Sequence, residues 1–183
     1  MSRIAPLRPP YTQQIQSQFD AIMRGAPPLM LFRVMAGHGR AWDKFRAGSL
    51  LDPGPLSLRD REIVIDRTCA LTGCEYEWGV HVAIFAEAAQ LTQAQIRAGV
   101  LEGPKAACWS VAEQALITAV DALHHRATLS SDEFAALSAH FDDAQILEMI
   151  QLCGFYRTVS YLANGLALPL EPTAPRFPRA EVA

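Results

Sequence analysis

The sequence predicts an all-α protein, and three observations carry that prediction. No period-2 alternation of apolar and polar residues persists in the 183 residues, and no hairpin dipeptide joins two β-branched runs. Helix-start signatures recur, with T-Q-A-Q at Thr92–Gln95, S-V-A-E at Ser110–Glu113 and comparable starts at Ser130 and Asp142. The run from Ala144 to Leu168 is apolar on much of its circumference, as a helix buried between other helices or subunits would be.

Each element follows from local signals. Residues 1–10 are Pro-rich and read as an arm that is ordered only where a partner holds it. Ile15, Phe19 and Ile22 mark a short amphipathic helix within Tyr11–Arg24. Pro27-Pro28 ends it, and an apolar segment from Leu29 to Ala36 follows, with Gly37-His38-Gly39 as a joint. Trp42, Phe45 and Leu50 place a further helix over Ala41–Leu51, closed by the turn Asp52-Pro53-Gly54-Pro55. The start at Thr92 opens a helix ending near Glu102, before Gly103-Pro104. The helix from Ser110 turns Ala112, Leu116, Ala119 and Leu123 toward the core. A short helix begins at Ser130, and the long last helix begins near Asp142. Residues 169–183, with four prolines, form an extended tail on a single 1–183 domain.

The chemistry concentrates in Leu56–Gln90. Ser57 caps one helix with Asp60 at its third position, Thr72-Gly73 breaks it, and Cys74 starts a second. Cys74, Glu77 and His81 stand at i, i+3 and i+7, hence on one helix face. Glu62 lies one antiparallel helix away. A helix N-terminus favours a thiolate at Cys74, whereas an ionised Glu77 opposes it. Bland readings exist for each residue. Cys74 suits a small core hydrophobe, and His81 sits among Val80, Val82 and Ile84 as a core histidine would. Glu62 could pair with Arg59 or Arg67 at the surface, and Glu77 could belong to a charged face with Glu75. Cys69, Cys108 and Cys153 read as core filling; Cys69 reaches Cys74 only if the Gly73 break brings it round.

Glu62, Cys74 and His81, within the run GCEYEWGVH, resemble the Glu, first Cys and His of the alkylhydroperoxidase D and carboxymuconolactone decarboxylase family. The run itself resembles a subgroup labelled carboxymuconolactone decarboxylase-like. The resemblance extends from about Pro27 to GFYRTVS in the last helix. It implies a helical domain with its active site in a helical hairpin, assembled as a homo-oligomer. One departure matters: the peroxidase members carry Cys-x-x-Cys, and Glu77 stands at the second Cys here.

Two enzymes are therefore expected. The first is a one-cysteine peroxidase-like oxidoreductase: Cys74 attacks a hydroperoxide, Glu62 and His81 relay protons, Glu77 tunes the thiol, and an external thiol recycles the sulfenic acid. The second is a decarboxylase using Glu62, Glu77 and His81 on a small carboxylated lactone. Tyr76, Trp78, Trp42 and Tyr156 would suit an apolar or aromatic-derived substrate. A metal held by Cys74, Glu77, His81 and Glu62, or a non-catalytic oligomer, are further readings. No cofactor is called for. A net charge of −3 without a basic stripe gives no support to nucleic-acid binding. No stretch of 18 apolar residues suggests a membrane span, no leader is evident, and scattered cysteines suit a reducing cytoplasm.

Overall fold

The computed structural model describes residues 2–180, and among them every regular element is helical. Nine α-helices and one short 3-10 turn follow in order. They are α1 (Gln13–Met23), α2 (Met30–Met35), α3 (Gly39–Ala47), α4 (Leu58–Leu71), α5 (Glu75–Phe85), α6 (Gln93–Leu101), the 3-10 turn Gly103–Lys105, α7 (Val111–Arg126), α8 (Ser131–Ser138) and α9 (Asp143–Gly165).

The starts obey the capping chemistry of the sequence. Thr92, Ser110, Ser130 and Asp142 each close a reciprocal capping box, at α6, α7, α8 and α9. Ser57 accepts from the Asp60 N–H at 3.1 Å and donates to its carboxylate at 2.6 Å. Helix α4 is the hub, packing against α5, α6, α7 and α9. Its Val64 and Ile65 have no exposed surface and sit in one core with Leu116 and Ile117 of α7 and Met149 and Leu152 of α9. A helix surrounded on this scale cannot be amphipathic, and nine consecutive residues of α4, Arg61 to Cys69, are buried.

Two arginines of α4 are paired with neighbouring elements, while the buried Asp66 Oδ1 has no hydrogen-bond partner. Arg67 makes a two-pronged bond to Asp121 at 2.6 and 2.8 Å and reaches the Gly99 carbonyl. Arg59 bonds Glu113 of α7 at 2.7 Å. The surface partners considered for Glu62 are thus engaged elsewhere.

The N-terminal arm departs from expectation. It docks on its own chain: Arg3 donates to the Leu166 and Gly165 carbonyls, and Leu7 pairs with Arg33 of α2. The tail is extended, as expected, and is tied down on α5. Glu171 accepts from the Tyr76 hydroxyl and the Met30 N–H, Arg176 pairs with Glu75, and the Phe177 ring lies on Trp78. Gly79 permits this crossing, since a Cβ there would stand 2.7 Å from the Pro175 carbonyl oxygen.

Candidate active site

The α4–α5 junction is a Schellman motif. Gly73 adopts φ +63°, its N–H donates to Ala70, and the Cys74 N–H reaches back to the Cys69 carbonyl at 2.8 Å. The reversal starts α5 directly, with Cys74 as N-cap, and lays it against α4. Thr72 locks the junction onto α9. Its Oγ1 lies 2.8 Å from Ser160 Oγ, and its carbonyl accepts from Asn164.

This packing brings Glu62, His81 and Glu77 into one line. Glu62 Oε2 is 2.7 Å from His81 Nδ1, and Glu77 Oε1 is 3.5 Å from His81 Nε2. The other Glu62 oxygen receives Arg61 at 3.0 Å. All four residues are buried. Tyr156 of α9 meets the imidazole edge-on, with centroids 5.0 Å apart, and Phe85 closes the other side. Burial alone would push the His81 pKa down, but the charge and hydrogen bond of Glu62, then those of Glu77, lift it to about 10. His81 is therefore an imidazolium at neutral pH, clamped between two carboxylates. One turn along α4, Asp66 is buried too, and burial raises its pKa well above the usual carboxylate range.

Glu77 is the member of this line that meets open space. It lines a cavity of about 510 Å³ walled by Phe45, Phe85, Phe155 and Tyr156, with Arg24 and Arg46 among its lining. Glu77 Oε2 is buried without a hydrogen-bond partner, and so is Arg46 Nε. Cys74 does not line this cavity and has no exposed surface. The expected thiolate is also countered. Burial raises the Cys74 pKa, the Glu77 charge adds to that, and backbone N–H groups of Glu77 and Tyr76 with the Ser160 hydroxyl offset only part of it.

The aromatic expectations divide. Tyr156 lines the cavity, and Trp42 lies behind it, stacked on Phe45. Tyr76 and Trp78 face away, toward Glu171 and Phe177. Sequence reasoning missed Arg61, Asp66, Arg24, Arg46 and Ser160. Arg61 and Asp66 carried a positional signal, since they flank Glu62 at i−1 and i+4 on the same helix. The other three come from elements remote in sequence. No group of three or more His, Cys, Asp or Glu among the described residues is arranged to hold a metal ion.

Residues 36–122 match the model of the Carboxymuconolactone decarboxylase family. That segment contains the whole Glu62–Cys74–Glu77–His81 constellation and supports the family assignment. A comparison with curated protein sequences finds no match. Solved structures share the fold across nearly the whole chain. An uncharacterized peroxidase-related protein from Silicibacter sp. TM1040 superposes with a TM-score of 0.82 at 16% identity, covering 94% of this chain and 93% of that one. An alkylhydroperoxidase AhpD core protein from Ralstonia eutropha JMP134, also peroxidase-related and uncharacterized, gives 0.81 at 17% identity and 93% coverage of both. The debrominase Bmp8 gives 0.75 at 15% identity, covering 93% of this chain and 92% of its own. At these identities the likeness establishes the alkylhydroperoxidase D-like fold. No helix among the described residues is long and apolar enough to cross a membrane.

Proposed function

We propose that this chain is an acid–base lyase of the carboxymuconolactone decarboxylase type, acting on a small carboxylated lactone. The observation that carries the reading is Glu77: it lines a cavity, one of its carboxylate oxygens is buried without a partner, and the other adjoins His81. Loss of carbon dioxide from such a substrate leaves an electron pair delocalised onto the lactone carbonyl. A proton must then be delivered to carbon. The Glu77–His81 pair holds that proton, Glu77 hands it over, and His81 restores it while Glu62 and Arg61 keep the ring in place. The cavity suits the substrate: Arg46 and Arg24 supply cationic groups for a carboxylate, and the aromatic walls take an unsaturated ring.

Glu77→Gln keeps the shape and removes the transferable proton. It is expected to lower kcat on a carboxylated unsaturated lactone by about 10²–10⁴-fold, with KM little changed. Carbon dioxide release and ultraviolet absorbance follow the reaction. Undiminished turnover in Glu77→Gln overturns the reading, as does dependence on Cys74 with indifference to Glu77.

A thiol peroxidase is the second reading. The place of Cys74 at the N-terminus of α5 favours it, as do the peroxidase-related names of the neighbouring structures. A cysteine variant of Bmp8 is described in complex with 2,3,4-tribromopyrrole, a flat ring of the size these aromatic walls would take. The peroxidase stands second because Cys74 is enclosed and Glu77 fronts the cavity. Assembly as a homo-oligomer is part of the proposal, supported by Leu147, Ile150 and Tyr161, which remain exposed along α9.

A further inference from the structure

The Schellman motif does more than turn the chain. It sets residues C3 and C″ side by side, and those residues are Cys69 and Cys74. Standard bond lengths on either side of the 2.8 Å bond between the Cys74 N–H and the Cys69 carbonyl keep the two Cα atoms within about 6.7 Å. That is inside the span a disulfide bridges. The five-residue separation would be too long on a continuing helix, and the reversal at Gly73 removes that obstacle. Both side chains are fully buried, so neither is a surface thiol brought near by chance. Ser160 of α9 lies near both thiols, accepts from Thr72 and donates to the Tyr156 carbonyl.

We propose that Cys69 and Cys74 form a redox-active dithiol, in which Cys69 resolves an oxidised Cys74 by closing a disulfide across the α4–α5 reversal. The pair takes the place of a Cys-x-x-Cys, with the second thiol lying upstream on α4. The inference does not rest on the proton-transfer reading, because it uses neither Glu77 as an acid nor a lactone. The oxidant is a small hydroperoxide. The Cys74 thiolate attacks its distal oxygen; the S–O bond forms, the O–O bond breaks and the alcohol, or water, leaves with a proton. Cys69 then attacks the Cys74 sulfur; the S–S bond forms, the S–O bond breaks and water departs with the Cys69 proton. The two thiols lose two electrons and the hydroperoxide gains them. A small external dithiol restores the reduced pair by exchange. Cys74 is the entry point because it stands at the start of α5, three residues before Glu77, which lines the cavity, whereas Cys69 lies inside the core on α4.

Trypsin offers a clean readout. The peptide 68–97 contains no internal Lys or Arg and, of the four cysteines, only Cys69 and Cys74. The full reduced chain is exposed to stoichiometric hydrogen peroxide with dimedone present, then digested. Wild type is expected to yield peptide 68–97 lighter by two hydrogens, free of dimedone and restored by dithiothreitol. Cys69→Ala is expected to yield a dimedone adduct on Cys74. Cys69→Ser serves in its place if the Ala variant loses its helical circular dichroism. A lasting Cys74 adduct in wild type overturns the proposal, and so does an unmodified peptide 68–97 while Cys108 or Cys153 reacts. Lactone turnover measured on the same samples keeps the two proposals separate: turnover without the disulfide sinks this one alone.

Discussion

At the scale of single residues the site is an electrostatic sandwich. An imidazolium lies between Glu62 and Glu77, and its raised pKa links the site to stability. The unfolded histidine titrates near 6.5. The folded one holds its proton up to about 10, so the stabilisation is complete below about pH 6.5 and is lost as the pH rises through 10. The stability difference between wild type and His81→Gln, from urea titrations, is therefore expected to be large at pH 6 and to shrink steadily toward pH 10. A difference independent of pH would mean that His81 is buried neutral. The Glu77–His81 half of this sandwich was legible in the sequence, because i and i+4 on a helix share a face, whereas Glu62 comes from the facing helix α4. The state of Cys74 was not. Its enclosure comes from α9, more than eighty residues downstream, and burial outweighs the helix-terminus effect that spacing suggested.

At the scale of elements, the decisive piece is the α4–α5 reversal. Gly73 has φ +63° and open space around the position of a Cβ, so Gly73→Ala tests backbone conformation alone. It should cost about 1–2 kcal/mol in denaturant unfolding. No cost would mean that the junction can relax into another turn. Gly73 was recognisable as a stop in the sequence, and the reciprocal caps at Thr92, Ser110, Ser130 and Asp142 marked four other starts for the same reason: the chemistry of a helix end is local. What a turn does to residues on either side of it is less local. That Cys69 and Cys74 become neighbours follows only from the particular pair of hydrogen bonds the turn makes.

At the scale of the whole molecule, α4 is enclosed on every side and both terminal segments are docked on the helical body. The arm holds α2 and the end of α9, and the tail crosses α5. Pattern reasoning treats Pro-rich segments as independent of the core, since they carry no helical period, and so the docking of the arm was not foreseen. A chain ended at residue 168 is expected to uncover Trp78, red-shift the tryptophan emission and speed amide exchange in α5 while α7 keeps its protection. An unchanged emission would show that the tail contributes nothing to the packing of the site helix.

The cavity also has a direction. Arg24, at its outer end, is exposed, Arg46 is half-buried, and Glu77 at its inner end is enclosed, with the Glu62 carboxylate on the far side of the His81 ring. A ligand that bears its own carboxylate is thus drawn at one end and repelled at the other, so it docks in a single sense, carboxylate outward and ring inward. Under the proposed chemistry the bond that breaks is then the one nearest the solvent. Carbon dioxide escapes without passing the proton donor, and the reactive carbon is left facing Glu77. Polarity along one short axis would separate the exit of the leaving group from the entry of the proton.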